Sequence, residues 1–266
     1  MKVIRVLVCG VAGKMGKSII KSIAAAPDIA LTGAVDLIRT GEDAGELAGI
    51  EPLGLKITNR LQELLDEGKA DVMIDFTSPL TVMDNIHCAL QHRVVPVVGT
   101  TGISENELKT VQQWVDQYNT GAIIAPNFAI GAVLMMKAAQ MCARYMKGVE
   151  IIEMHHDEKL DAPSGTALKT ALLIHEAFGN VLPAREELEK VPGVRGGRAA
   201  EIPVHSIRLP GLVAHHEVVF GCDGQVLTIR HDALNRDCFI PGLLLAIRHA
   251  PGNKELIYGM ENLLEF

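Results

Sequence analysis

The chain has 266 residues, 48% hydrophobic and 21% charged, enough apolar side chain to bury the cores of one large or two ordinary domains, which excludes disorder as the main state. Twenty-five Lys and Arg against 32 Asp and Glu leave a formal charge of −7, so neither nucleic acid nor an anionic membrane surface is expected as a partner, and any bound anion has to be held locally. The longest apolar stretch near the middle, Phe128 to Met136, closes on Lys137 far short of a bilayer span.

The opening MKVIRVLVCGVAGKMG carries a charge inside its apolar run and then a glycine cluster, and so reads as a first strand and not as a cleaved signal. Val3 to Cys9 predicts that strand, Met15 to Ala26 a helix, Ala30 to Asp36 a strand, Leu61 to Glu67 a helix, Ala70 to Phe76 a strand, Thr81 to His92 a helix and Val94 to Val98 a strand. Ser104 with Glu107 three residues on is a capping-box pattern for a helix to about Tyr118, and Ala122 to Ala125 predicts a further short strand. Repeated β-α alternation implies an α/β fold with a parallel sheet.

Beyond Pro126 and Asn127 the rhythm changes. Gly131 to Lys147 reads as one long helix, Val149 to Met154 as a strand, the residues up to Gly165 as a polar loop, and Ala167 to Phe178 as a helix. A Gly-, Pro- and Arg-rich stretch, Pro183 to Arg198, precedes three strand-like runs: Val204 to Leu209, Glu217 to Gly221 and Val226 to His231. Strands without intervening helices predict an open, mostly antiparallel sheet in a second domain, and Ile240 to His249 predicts a helix that returns to the first. Cys9, Cys88, Cys142, Cys222 and Cys238 are odd in number, scattered and free of a C-x-x-C pair. That pattern fits reduced thiols and a cytoplasmic protein, with neither a zinc site nor a disulfide framework.

Gly10, Val11, Ala12, Gly13, Lys14, Met15 and Gly16 lie between the first strand and the first helix. Such a turn lets backbone approach a pyrophosphate and aims helix N–H groups at it. Ala12 stands where a strict G-x-G-x-x-G has its second glycine, and an ordinary tight turn would use the same residues. Asp36 at the end of the second strand adds a carboxylate placed to accept hydrogen bonds from both ribose hydroxyls of a dinucleotide. Gly99, Thr100 and Thr101, and Ala125, Pro126, Asn127 and Phe128, follow later strands, where ligands of parallel sheets collect.

The most informative segment is Glu150 to Ala167, EIIEMHHDEKLDAPSGTA. His155, His156 and Lys159 concentrate cationic and proton-transferring groups just after a strand. Behind them, Ser164, Gly165 and Thr166 open a helix whose N–H groups suit a carboxylate or phosphate. A solvated charge run or a divalent-metal site is the plainer alternative, although zinc is disfavoured by the lack of a His-x-x-x-His spacing or a nearby Cys.

This segment closely resembles the hallmark of the dihydrodipicolinate reductase family, and the likeness extends over nearly the whole chain. It takes in VCGVAGKMG at the start, DAGELA from Asp43, IDFT from Ile74, GTTG from Gly99, APNF from Ala125 and HSIRLPG from His205. The resemblance implies a Rossmann-like domain, residues 1–126 and 236–266, and a mixed-sheet domain, residues 127–235, that binds substrate and builds a homotetramer. It implies reduction of a cyclic dicarboxylate, 4-hydroxy-tetrahydrodipicolinate, by NADH or NADPH to tetrahydrodipicolinate in lysine and diaminopimelate biosynthesis. Hydride would reach C4 of the ring after loss of water.

On the same resemblance His155 is the catalytic acid/base and Lys159 the proton donor or electrostatic anchor, while His156, Gly165 and Thr166 bind substrate. Gly10 to Met15, Asp36, Gly99 to Thr101 and Ala125 to Phe128 take the cofactor positions. Relatives that use NADPH readily often carry Arg after the acidic strand end. Here Leu37 stands there, with Lys14 and Arg39 as the remaining phosphate partners, so NADH is expected to serve at least as well. Another two-domain NAD(P) dehydrogenase, or a nucleotide-sensing Rossmann protein without turnover, are the competing functions. Since a catalytic loop beyond residue 150 has to meet a nicotinamide held before residue 128, hinges are expected near Asn127-Phe128 and Asn235-Arg236.

Overall fold

The structure is a computed structural model that describes residues 3–178 and 188–264. The chain divides after Phe128 and again before Phe239 into two compact units, Ala129–Cys238 forming the second.

The first unit is built on a six-stranded parallel sheet. Its strands are β1 (Ile4–Cys9), β2 (Ile29–Val35), β3 (Val72–Asp75), β4 (Val95–Val98), β5 (Ala122–Ile124) and β11 (Leu256–Tyr258), in the order β11-β5-β4-β3-β1-β2. Helix α1 (Lys14–Ala24), short α2 (Ala44–Ala48), α3 (Leu61–Asp66), α4 (Val82–Gln91), α5 (Glu105–Tyr118) and α8 (Ile240–His249) complete it. From Val6 to Cys9 β1 is apolar because both its faces are covered: Leu7 and Cys9 pack with Met73, Leu65 and Ala89, while their neighbours Val6 and Val8 are equally buried. The capping box read at Ser104 and Glu107 is present at the start of α5.

Three features of this unit differ from expectation, the first being the short helix α2, which the sequence did not predict. The sheet has a sixth strand, β11, three residues long, which pairs with β5 at Ile257↔Ile123. Helix α1 starts one residue earlier and ends two residues sooner than the apolar periodicity predicts.

The second unit is a five-stranded sheet of order β10-β9-β6-β8-β7, with β6 (Gly148–His155), β7 (Gly197–Ala199), β8 (Ile202–Arg208), β9 (Ala214–Cys222) and β10 (Gln225–Ala233). Only β6 and β8 run parallel; the other pairs are antiparallel. Helices α6 (Ile130–Ala143) and α7 (Gly165–Phe178) close one face, where Ala139, Ala143, Ala171 and Ile174 meet Val149, Ile151, Val218 and Phe220. By strand alternation Ile152, Met154, Ile207 and Val219 occupy the opposite face, each at least partly exposed. The Gly-, Pro- and Arg-rich stretch from Pro183 lies outside the described residues as far as 187, and its end forms β7. Among the described residues no helix is long and apolar enough to cross a membrane.

Candidate active site

In the first unit, β2 and β3 flank β1 on opposite sides, so the sheet order reverses at β1 and a crevice opens at the carboxyl ends of its strands. The glycine loop lies there. Gly10 has φ +87°, and a Cβ on it would stand 2.4 Å from the Phe76 carbonyl oxygen; one on Gly16 would stand 2.2 Å from the Gly10 carbonyl oxygen. Only hydrogen fits at either place, so loop and helix approach backbone to backbone. Gly13 caps α1 without a side-chain hydrogen bond, and the first turn contains no acidic residue. The positive end of the helix is thereby left to an external anion, which fits a dinucleotide pyrophosphate.

Asp36 directly follows β2, and its Oδ2 accepts from Ala12 N at 2.8 Å while Oδ1 accepts from Ile38 N at 3.1 Å. The carboxylate read as a ribose acceptor therefore also braces the glycine loop. Leu37 and Ile38 stand exposed beside it. Arg39 is ion-paired with Glu42 at 2.8 Å, and Lys14 is exposed.

Phe76 joins the remaining expected cofactor residues. Its carbonyl abuts Gly10, its ring packs against Gly99 so closely that a Cβ there would lie 2.2 Å away, and its centroid is 5.9 Å from that of buried Phe128. Asp75, fully buried at the end of β3, takes the Thr77 backbone N–H at 3.1 Å and the hydroxyls of Thr77 at 2.8 Å and Thr100 at 2.7 Å on Oδ1, and Asn85 Nδ2 at 2.7 Å on Oδ2. Thr101 and Pro126 are exposed, Asn127 is half-buried, and Ala125 is buried, its N–H bonded to Val98 O at 2.9 Å.

In the second unit, His155 is the last residue of β6 and not the first of a loop. Strand alternation puts it on the same face as Glu153, and Glu153 Oε2 lies 2.5 Å from His155 Nδ1. Glu153 is fully buried and clasped by the Arg208 guanidinium, whose two terminal nitrogens donate to Oε2 at 3.0 Å and Oε1 at 2.8 Å. The same guanidinium donates to Asp161 O at 2.8 Å, and Asp161 holds Lys159 Nζ at 2.6 and 2.7 Å. A continuous chain of contacts thus runs from His155 through Glu153, Arg208 and Asp161 to Lys159. Ser164 Oγ accepts from Ala167 N at 3.2 Å, and α7 begins at Gly165 and Thr166; a Cβ on Gly165 would meet nothing within 4 Å.

Burial works against ionised Glu153, but hydrogen bonds from Arg208, Ser206 and His155 outweigh it and hold the carboxyl below the usual glutamate range. Burial pushes His155 down, as do nearby Lys159 and Arg208, and the bond to Glu153 only partly restores it. The histidine titrates lower than the ordinary imidazole expected from sequence. His216, in register with Glu153 across β6 and β9, is pushed down to about 4, chiefly by burial. His156 Nδ1, Arg208 Nε and His216 Nε2 are buried without a hydrogen-bond partner. All three belong to residues beside the Glu153–His155 pair, as suits a polar, anionic ligand.

Family models described as dihydrodipicolinate reductase, N-terminus and C-terminus, match residues 4–128 and 131–264. The chain belongs to the dihydrodipicolinate reductase family. It is 51% identical over 267 residues to a 4-hydroxy-tetrahydrodipicolinate reductase of Desulfitobacterium hafniense, covering 100% of both chains. It is 49% identical over 272 residues to the enzyme of that name from Nostoc punctiforme, covering 98% of each. A solved structure, dipicolinate-bound dihydrodipicolinate reductase from Paenisporosarcina sp. TG-14, matches with TM-score 0.86 and 41% identity over 98% of this chain and 100% of that one.

The expected cofactor residues all fall in the first unit, and His155, His156, Lys159, Gly165 and Thr166 all fall in the second. Among the residues of these clusters that were given no role from sequence are Asp75, Glu153, Arg208 and His216. Asp75 and Arg208 lie within the family-like strings IDFT and HSIRLPG, and Glu153 stands two residues before His155 on a strand, so each left a trace. His216 left none.

Proposed function

We propose that this chain reduces 4-hydroxy-tetrahydrodipicolinate to tetrahydrodipicolinate with NADH or NADPH, in lysine and diaminopimelate biosynthesis. The observation that carries this reading is the chain of contacts that links His155 at the end of β6 to Lys159 through Glu153, Arg208 and Asp161, in a chain whose two halves match both halves of the reductase. When bound, the nicotinamide supplies hydride.

The protein does the rest. Gly10 to Met15 hold the pyrophosphate at the head of α1, and Asp36 takes the ribose. Gly99 to Thr101 and Ala125 to Phe128 line the nicotinamide end. Lys159, His156 and the N–H groups of Gly165 and Thr166 take the substrate carboxylates and leave the reacting carbon open. Lys159 exchanges its partner readily, because Asp161 is 69% exposed. His155 binds a proton less readily in the free protein than an ordinary imidazole, and the negative charge of a bound dicarboxylate raises its proton affinity, so that it becomes the acid when substrate is present.

NADH serves at least as well as NADPH. Asp36 disfavours a 2′-phosphate and Leu37 offers no cation, while exposed Lys14 and Arg39, the latter in a solvent-exposed pair with Glu42, limit the gap. The enzyme works in the cytoplasm as a homotetramer assembled through the second unit, whose sheet has one face not covered by its helices, and its two units rotate about the crossings near Asn127-Phe128 and Asn235-Arg236 on binding. The test is oxidation of NADH and NADPH with substrate generated freshly by dihydrodipicolinate synthase. Turnover with that substrate supports the reading. Tight NADH binding without turnover would favour a nucleotide sensor, and turnover only of other carbonyl compounds would favour another dehydrogenase.

A further inference from the structure

The structure assigns Glu153 as a positioning residue that accepts the Nδ1 proton of His155, so that Nε2 is the ring nitrogen that exchanges a proton with substrate. The assignment rests on the proposed role of His155. A carboxylate clasped by two guanidinium N–H groups is ionised and can only accept hydrogen bonds, so the 2.5 Å contact requires hydrogen on Nδ1. Glu153 has no exposure to solvent and cannot relax toward water, and its strand fixes it two residues from the ring it orients.

Glu153 also decides the charge balance at His155. From β8 the ring faces Arg208, and from the following loop it faces Lys159, both cationic. On β9 its register partner is Ala214, and His216, whose charge interacts with that of the ring, stays neutral above about pH 4. The anion in direct contact with the ring is Glu153. Without it two cations would confront a histidine that burial already disfavours in its charged form, and the acid needed for turnover would not form at neutral pH. A buried Glu–Arg pair would suffice merely to tie β6 to β8; the third, shortest contact to His155 is what a purely structural pair does not need.

Glu153→Gln keeps the volume and removes the charge. The expected result is a kcat lowered about 10–100-fold, the scale of an impaired general acid, with NADH affinity unchanged. The limb of the kcat/KM profile that reports protonated His155 should move at least one pH unit lower. Glu153→Asp, which retains the carboxylate, should recover most of the profile. An independent readout needs no variant at Glu153: ¹⁵N NMR of the wild-type imidazoles, with His155→Gln for assignment, should show Nδ1 protonated and Nε2 titrating. An Nε2–H tautomer in the wild type, or a folded Glu153→Gln enzyme with the wild-type pH profile, overturns the assignment. If His155→Ala itself retains near-normal turnover, the underlying role of His155 fails instead, so the two failures are distinguishable.

Discussion

Asp75 Oδ1 accepts a 2.7 Å hydrogen bond from Thr100 Oγ1, joining the end of β3 to the loop after β4 across 25 residues of sequence. With Thr77 and Asn85 on the same carboxylate, one buried side chain holds both loops beside Phe76. Asp75→Asn forces one donor to face another donor. It should lower stability by about 1–3 kcal/mol, the scale of an unsatisfied buried polar group, and weaken NADH binding about tenfold, on the scale of one lost interaction of that size. Urea unfolding and NADH fluorescence titration check both; unchanged NADH affinity in the folded variant would remove Asp75 from the support of the cofactor loops.

For cofactor choice the relevant contact is Asp36 with Ala12 N at 2.8 Å. Because the carboxylate braces the loop as well as disfavouring a 2′-phosphate, Asp36→Ala should weaken NADH binding and at the same time improve the NADPH-to-NADH ratio of kcat/KM. A wild type that strongly prefers NADPH, with a ratio unmoved by the substitution, would contradict the ribose assignment.

His216 gives the fold an acid-sensitive component. Its folded pKa of about 4 lies below the ordinary 6.5, so between those values the unfolded chain binds a proton that the folded protein refuses. Stability from this residue is complete above about 6.5 and is lost as pH falls toward 4, by about 3 kcal/mol in all. His216→Asn should flatten the decline of urea midpoints from pH 7 to 4; parallel declines in variant and wild type would show that His216 is not buried as a neutral ring.

Much of this architecture was legible because the signals are local. The apolar run from Val6 to Cys9 in β1 and the glycines after it mark a strand buried on both faces and a turn that tolerates no Cβ. The capping box of α5 is a three-residue pattern with its own chemistry. β11 was not legible: three residues carry no period, and only pairing with β5 makes them a strand. Arg208 reaches Glu153 across 55 residues through the parallel register of β6 and β8, which no alternation specifies. The segment from Glu150 to Ala167 announced its residue types, but the lowered proton affinity of His155 depends on burial and on that distant arginine.

The most direct measurement is steady-state kinetics of His155→Ala and Lys159→Ala, with NADH affinity determined separately on the folded variants. His155→Ala should lower kcat about 10²–10⁴-fold with little change in KM, as loss of a general acid does. Lys159→Ala should lower kcat and also raise KM for the dicarboxylate, since a desolvated carboxylate loses its cation. NADH binding should survive both, because every expected cofactor contact lies in the other unit. A His155→Ala enzyme with near-normal kcat would contradict the assignment of catalysis to the end of β6.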